Sequence, residues 1–230
     1  MAKTGTTRPT KPEQGETRQH RFALERLVFF SDAVFAIAIT ILVLDLRLPA
    51  GAASAGGREL FSALAGLWPA YLAFFISFWV IGLSWISHHR KFLHIRRADN
   101  PLLMLNLLLL MVIVFIPFPT AVMSESAGLT ATAFYASVMI LASLAGMILW
   151  LYAVRARLVD PGLDDRAIRR EISVHWATMG IFALSIVLAV LDTGLARLCW
   201  LSVFVVVFFL RRRAAGPPRP VPAGPAAGGG

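Results

Sequence analysis

The sequence has little of what secreted proteins and metal-dependent enzymes are built on. One cysteine, Cys199, stands in 230 residues. No intrachain disulfide can form from it, a cysteine-rich zinc site is excluded, and inside an apolar run it reads as a small space-filler. No HExxH, EF-hand or phosphate-loop pattern occurs, and the adjacent His88 and His89 point about 100° apart on a helix, so they do not chelate one ion. No internal repeat is visible. The first twenty residues are polar, where a secretory signal would already place its apolar core. Acids are scarce: 13 Asp and Glu stand against 22 Lys and Arg, giving a formal charge of +9. That balance alone would suit nucleic acid. The basic residues, however, sit at the ends of apolar runs rather than on one face, which is the pattern of loops held at a membrane surface and points away from nucleic acid.

What the chain has in excess is apolar sequence. Hydrophobic residues make up 57% and the mean hydropathy is +0.70, against about 45–50% apolar in an ordinary soluble domain. Six stretches carry it, at Leu27–Leu46, Phe61–Ser87, Leu102–Val122, Leu129–Tyr152, Ile172–Leu191 and Leu195–Leu210. Crossing the hydrocarbon core takes about 20 helical residues, so the last is short unless it begins near Thr193. The runs are continuous rather than alternating, which selects helices over a barrel. An all-α integral membrane protein of six transmembrane helices is expected, with a polar, disordered segment at residues 1–22, the helical unit at 23–212 and a disordered Pro/Gly/Ala-rich tail at 213–230.

Punctuation supports these bounds. Asp99-Asn100-Pro101 offers a cap followed by an early proline. Pro117-Phe118-Pro119 must kink or end the third helix, because each proline removes a backbone donor. Nineteen Lys and Arg fall on one side of the six spans and three, Arg47, Arg58 and Arg197, on the other. This bias places both termini in the cytoplasm.

The first span, "RLVFFSDAVFAIAITILVLDLRLP", carries the informative charges. Asp32 lies inside it and Asp45 near its outer end. An acid within a span costs roughly 2.5–3.5 kcal/mol and usually faces protein with a partner. Arg26 is about 120° around the helix and is a poor partner. Trp85, His88 and His89, at the cytoplasmic end of the second span, lie at the same depth and can donate to a carboxylate; the alternative is an acid that reaches the headgroups. Further along, Ile37, Ile41 and Leu44 form one stripe with Thr40 at its edge. Alone, such a stripe reads as helix packing.

The residues Arg26, Phe30, Ser31 and Asp32 fill the pattern R-x-x-x-F-S-D, followed by "AVFAIAITILVLDL". This closely resembles the signature of the transmembrane protein 175 family of potassium channels. Trp85 with His88-His89, Asn106 in "LNLLLL", and "PFPT" at Pro117–Thr120 extend the likeness over most of residues 21–210. The motif is usually continued by glycine, where Ala33 stands here. The resemblance implies a homotetrameric potassium channel of the cell membrane, with four first helices lining the pore. It implies no enzymatic activity and no cofactor beyond the permeant potassium ion, with the lipid bilayer as the other partner. The carbonyl filter "TVGYG" is missing, as it is in the family. The constriction falls instead on Ile37, with Ile41 and Leu44 as further layers and Thr40 as the pore-lining threonine, so that apolar rings gate by dewetting. Asp32, with Arg26, Phe30, Ser31, Trp85, His88, His89 and Asn106, would form a network fixing the pore helix, and Asp45 would draw cations to the outer mouth. The competing classes are a secondary transporter, which ordinarily shows repeated halves, and a proton-permeable cation channel.

Overall fold

The computed structural model describes residues 11–52, 56–126 and 128–212. Among these residues the chain is all helical, and six helices are long and apolar enough to cross a membrane. Helix α1 runs Lys11–Ile41 and passes into a 3₁₀ turn at Leu42–Asp45. α2 spans Gly57–Gly66, α3 Trp68–His94, α4 Asn100–Phe115, α5 Pro117–Glu125, α6 Leu129–Arg155, α7 Asp165–Leu191 and α8 Thr193–Arg212.

The differences from the sequence expectation have local causes. The stretch expected as one span from Phe61 to Ser87 is two elements, because Pro69 stands in the first turn of α3, where its missing donor costs nothing. At the other end α3 continues to His94, taking Arg90 and Lys91 out of the expected loop and into the helix. The double proline ends α4 at Phe115. Ile116 N–H then donates to Ile113 C=O at 3.2 Å, and the Thr120 hydroxyl donates to Ile116 C=O at 2.8 Å, so the carbonyls near the break keep donors. α8 does begin at Thr193. α1 begins at Lys11, so the backbone has no break at the expected 22/23 boundary. Residues 1–10 and 213–230, expected as disordered, lie outside the described residues.

In a membrane, helices gain little from hiding apolar surface from lipid, so close contact comes from small residues and interhelical hydrogen bonds. α6 shows this. Ala131, Ala136, Ala142 and Ala153 are buried along it, and the helix packs on α4, α5 and α7. Tyr135 of α6 stacks near Trp200 of α8 at 4.8 Å between ring centroids, with Phe182 of α7 completing the cluster. The Ser77 hydroxyl joins Thr120 Oγ1 at 2.8 Å and the Tyr135 hydroxyl at 2.9 Å, tying α3 to α5 and α6.

The ends are stitched as well. Asp99 caps α4 through Leu102 N–H at 2.9 Å and accepts from the Tyr152 hydroxyl at 2.6 Å. The α6–α7 connection folds back beneath α3. Arg157 turns it with φ of 55°, Ile95 and Val159 form an antiparallel bridge, and Asp160 N–H donates to His94 C=O at 2.9 Å. The Arg96 guanidinium pairs with Asp160 and holds its carboxyl below the usual carboxylate range.

Candidate functional site

Helix α1 is two-faced in the protomer. Leu27, Ser31, Phe35, Ala38 and Leu42 are buried, at the three- and four-residue spacing of one helical face, against α3 and α4. The opposite face carries the candidate pore residues. Ile37 is 55% exposed, Ile41 38% and Leu44 64%, and Thr40 is exposed with them. Leu44 lies in the 3₁₀ turn, where side chains three apart eclipse, so it stands above Ile41. The Thr40 hydroxyl donates to Ile37 C=O at 2.9 Å. Its hydrogen is thus committed to the backbone, and the lone pairs of Oγ1 remain as acceptors. Ile39 lies on the other side of the helix, partly buried and packed against the core. Asp45 closes the 3₁₀ turn, half-buried, and Arg47 beside it folds back toward Leu44 C=O at 3.4 Å.

The motif residues fall into two separate connections rather than one network. Trp85 Nε1 donates to Asp32 Oδ1 at 2.8 Å, as depth matching allowed. His88 turns away from Asp32. It bonds through Nε2 to Asn106 Oδ1 at 2.9 Å, and Asn106 Nδ2 donates to Ser31 Oγ at 3.0 Å. Ser31 in turn donates to Leu27 C=O at 2.9 Å. The direction is fixed by this last bond: the Ser31 hydrogen is used, so Ser31 accepts from the amide nitrogen, the amide oxygen faces His88, and Nε2 carries the proton. His88 stacks on Phe92 at 4.3 Å between centroids. His89 remains exposed beside Trp85, at 5.9 Å. Arg26 and Phe30 sit on the exposed side of α1, and among the described residues neither joins these chains.

A third polar group was not foreseen from the sequence. Lys91, only 2% exposed, places Nζ 2.7 Å from His175 Nε2 and 2.9 Å from Gly146 C=O. Ser143 Oγ meets His175 Nδ1 at 3.0 Å. One turn away, Ser87 donates to Glu171 Oε2 at 3.0 Å. The signal was present as polar stripes at helical spacing, Ser84/Ser87/Lys91 on α3 and Glu171/His175/Thr178 on α7. Gly146 leaves this cluster room, because a Cβ there would stand a tight 3.0 Å from His175 Cε1 and 3.5 Å from Lys91 Nζ. With both ring nitrogens engaged, the imidazole has little freedom to retreat. Gly146→Ala is expected to cost about 1–3 kcal/mol, read as a lower melting temperature in detergent; an unchanged Tm would mean the ring is not held.

With this geometry in view, similarity to known proteins becomes specific. The family model described as "Endosomal/lysosomal potassium channel TMEM175" matches residues 26–117, which contain both motif connections and the α1 stripe. A potassium channel of Streptomyces collinus is 43% identical over 150 residues, covering 63% of this chain and 71% of that protein. The chain belongs to the TMEM175 family. The crystal structure of a homolog, from Chamaesiphon minutus, of the lysosomal potassium-selective channel TMEM175 aligns with a TM-score of 0.70 at 30% identity, covering 84% of this chain and 99% of that one. The endosomal/lysosomal proton channel TMEM175 of Homo sapiens is 30% identical over 205 residues, 84% of this chain and 39% of that protein. Membership of the TMEM175 family and the six helices together make this a multi-pass membrane protein of a cation-channel family, not an enzyme.

Proposed function

We propose that the chain is a potassium-selective channel in which four copies surround a pore lined by α1, constricted at Ile37, Ile41 and Leu44, with Thr40 supplying oxygen ligands. The observation that carries this reading is the outward stripe of α1. A stripe on the outside of a protomer encloses a path only when copies are arranged around an axis, and a closed ring requires rotational symmetry. The branched side chains of the stripe suit a ring that dewets when closed. The Thr40 oxygen, stripped of its donor role, suits a cation rather than an anion. Both termini lie in the cytoplasm by the arginine bias, and the protein resides in the cell membrane. The test is cation flux into liposomes holding the purified protein. A potassium gradient is expected to set the reversal potential, with sodium contributing little. Relatives named as proton channels favour a second reading, proton permeation; a reversal potential that follows the proton gradient, measured against an ionophore control, would replace potassium selectivity with it.

In the same reading, Asp32 anchors α1 and does not touch the ion. Asp32→Ala leaves the Trp85 indole without its acceptor. Because Trp85 is 38% exposed, the loss is about 1 kcal/mol per subunit, below the usual range of a charge-assisted bond. Yield and tetramer retention on size exclusion are expected to fall, while surviving channels keep their potassium preference. A well-folded variant with lost selectivity would contradict the anchoring role.

A further inference from the structure

At the arginine-rich end of the protomer, between the last turns of α3, the end of α6 and the first turns of α7, lies a cavity of about 210 Å³. Its wall is lopsided in chemistry. Arg90, Lys91 and His94 come from α3, with Lys91 Nζ already held by Gly146 C=O and His175, and Arg170 comes from α7. Two of its buried donors, the Trp150 indole Nε1 and Arg170 Nε, have no hydrogen-bond partner, and neither does one carboxylate oxygen, Glu171 Oε1. Trp150 is 1% exposed and Glu171 5%, so these are not surface groups that water satisfies freely. Orphaned buried polar atoms are destabilising, and such sites call for a ligand or ordered water.

The ligand is constrained by the mixed set. Guanidinium, imidazole and indole groups line one cavity, a set that suits an anion, and planar guanidinium groups match phosphate oxygens. The free carboxylate oxygen repels a bare anion, so the same ligand must also bring a hydrogen-bond donor. Position supplies the rest. The cavity lies near the ends of three spanning helices, where lipid headgroups would meet them, and Leu93 in its lining is 63% exposed, where an acyl chain would run. Basic pockets between membrane helices bind lipid headgroups by this chemistry.

We propose that this cavity holds the headgroup of a phospholipid bearing both a phosphate and a donor, an ethanolamine or glycerol headgroup rather than choline. The phosphate sits among Arg90, Arg170 and the Trp150 indole, and the amine or hydroxyl donates to Glu171. The lipid then ties α3 to α7 at a distance from the α1 stripe.

Native mass spectrometry of the full chain, purified in mild detergent, tests this with phosphatidylethanolamine, phosphatidylglycerol and phosphatidylcholine of identical acyl chains. The first two are expected as retained adducts, one per subunit, that raise Tm, and phosphatidylcholine at least fivefold less. Arg170→Gln, and separately the partly exposed Arg90→Gln, should lower retention at least fivefold in folded protein. Equal retention of the choline lipid, or unchanged retention in both variants, would overturn the proposal. So would inorganic phosphate that raises Tm equally and displaces the lipid, since the cavity would then be a soluble-anion site.

Discussion

Ile37→Asn is expected to raise conductance and admit sodium while leaving the protein folded. The reason is the environment of the side chain. Ile37 is 55% exposed on the protomer, on the side of α1 turned from the core, so an amide there is not forced into a dry helix interface. In the proposed assembly it enters a ring that now repels water. Four amides would hydrate the constriction, leave the closed state wetter and blunt cation discrimination. Ile39 is the control. It is packed against the core, and Ile39→Asn buries an amide without sure partners at about 1–3 kcal/mol in each subunit. That variant should show poor yield and lowered Tm, with ion preference intact in what survives. The measurements are reversal potentials under opposed potassium and sodium, paired with size exclusion. Equal permeation effects at both positions would sink the pore face. A destabilised Ile37→Asn with normal selectivity would mean the stripe packs between helices instead.

The features legible in the sequence were those that a single helix determines for itself. Apolar length gave the spans, Asp99 gave a cap, and Pro117 and Pro119 gave the break, because each acts on its own backbone. The Asp32–Trp85 bond was within reach because membrane depth restricts which residues of two helices can meet. Depth does not give rotation, however. His88 and Trp85 lie at similar depth, three residues apart on α3, and only the packing of α4 decides that His88 turns to Asn106 instead of Asp32. The Lys91 cluster escaped for a related reason. By hydropathy Lys91 falls past the end of its span, among the basic residues expected to face headgroups, whereas α3 carries it to a buried position where His175 and Gly146 C=O receive it. A lone basic residue near a span end looks the same in sequence whether it snorkels or turns inward. The split between α2 and α3 was different in kind. Pro69 was there to be read, but the apolar run continued across it and hydropathy masked the signal.

Asn106→Leu should be among the most damaging changes outside the stripe. Asn106 is fully buried and bridges α1 and α3 from α4, accepting from His88 and donating to Ser31. Leucine is similar in size but offers neither function. Ser31 keeps its own bond to Leu27 C=O, so the main casualty is the His88 Nε2–H, orphaned inside the protein at about 1–3 kcal/mol. For a chain of this size 1 kcal/mol corresponds to roughly 2–4 °C. A fall in Tm of about 2–12 °C in detergent is therefore expected. The mechanism is separated from simple overpacking by a double variant. Removing both ends of a buried hydrogen bond is nearly neutral when shape is kept, and His88→Phe also preserves the stack on Phe92. His88→Phe with Asn106→Leu should thus be more stable than Asn106→Leu alone, by about 1–2 kcal/mol, and the His88→Phe single variant closes the cycle that gives the coupling. Strictly additive losses would show that the bond contributes nothing and that Asn106 is needed only for its shape. With coupling, the consequence reaches the channel. Asn106 holds Ser31 four residues before Phe35 and six before Ile37, so a loosened α1 should also raise leak in flux assays of the single variant, and the double variant should recover toward the original conductance.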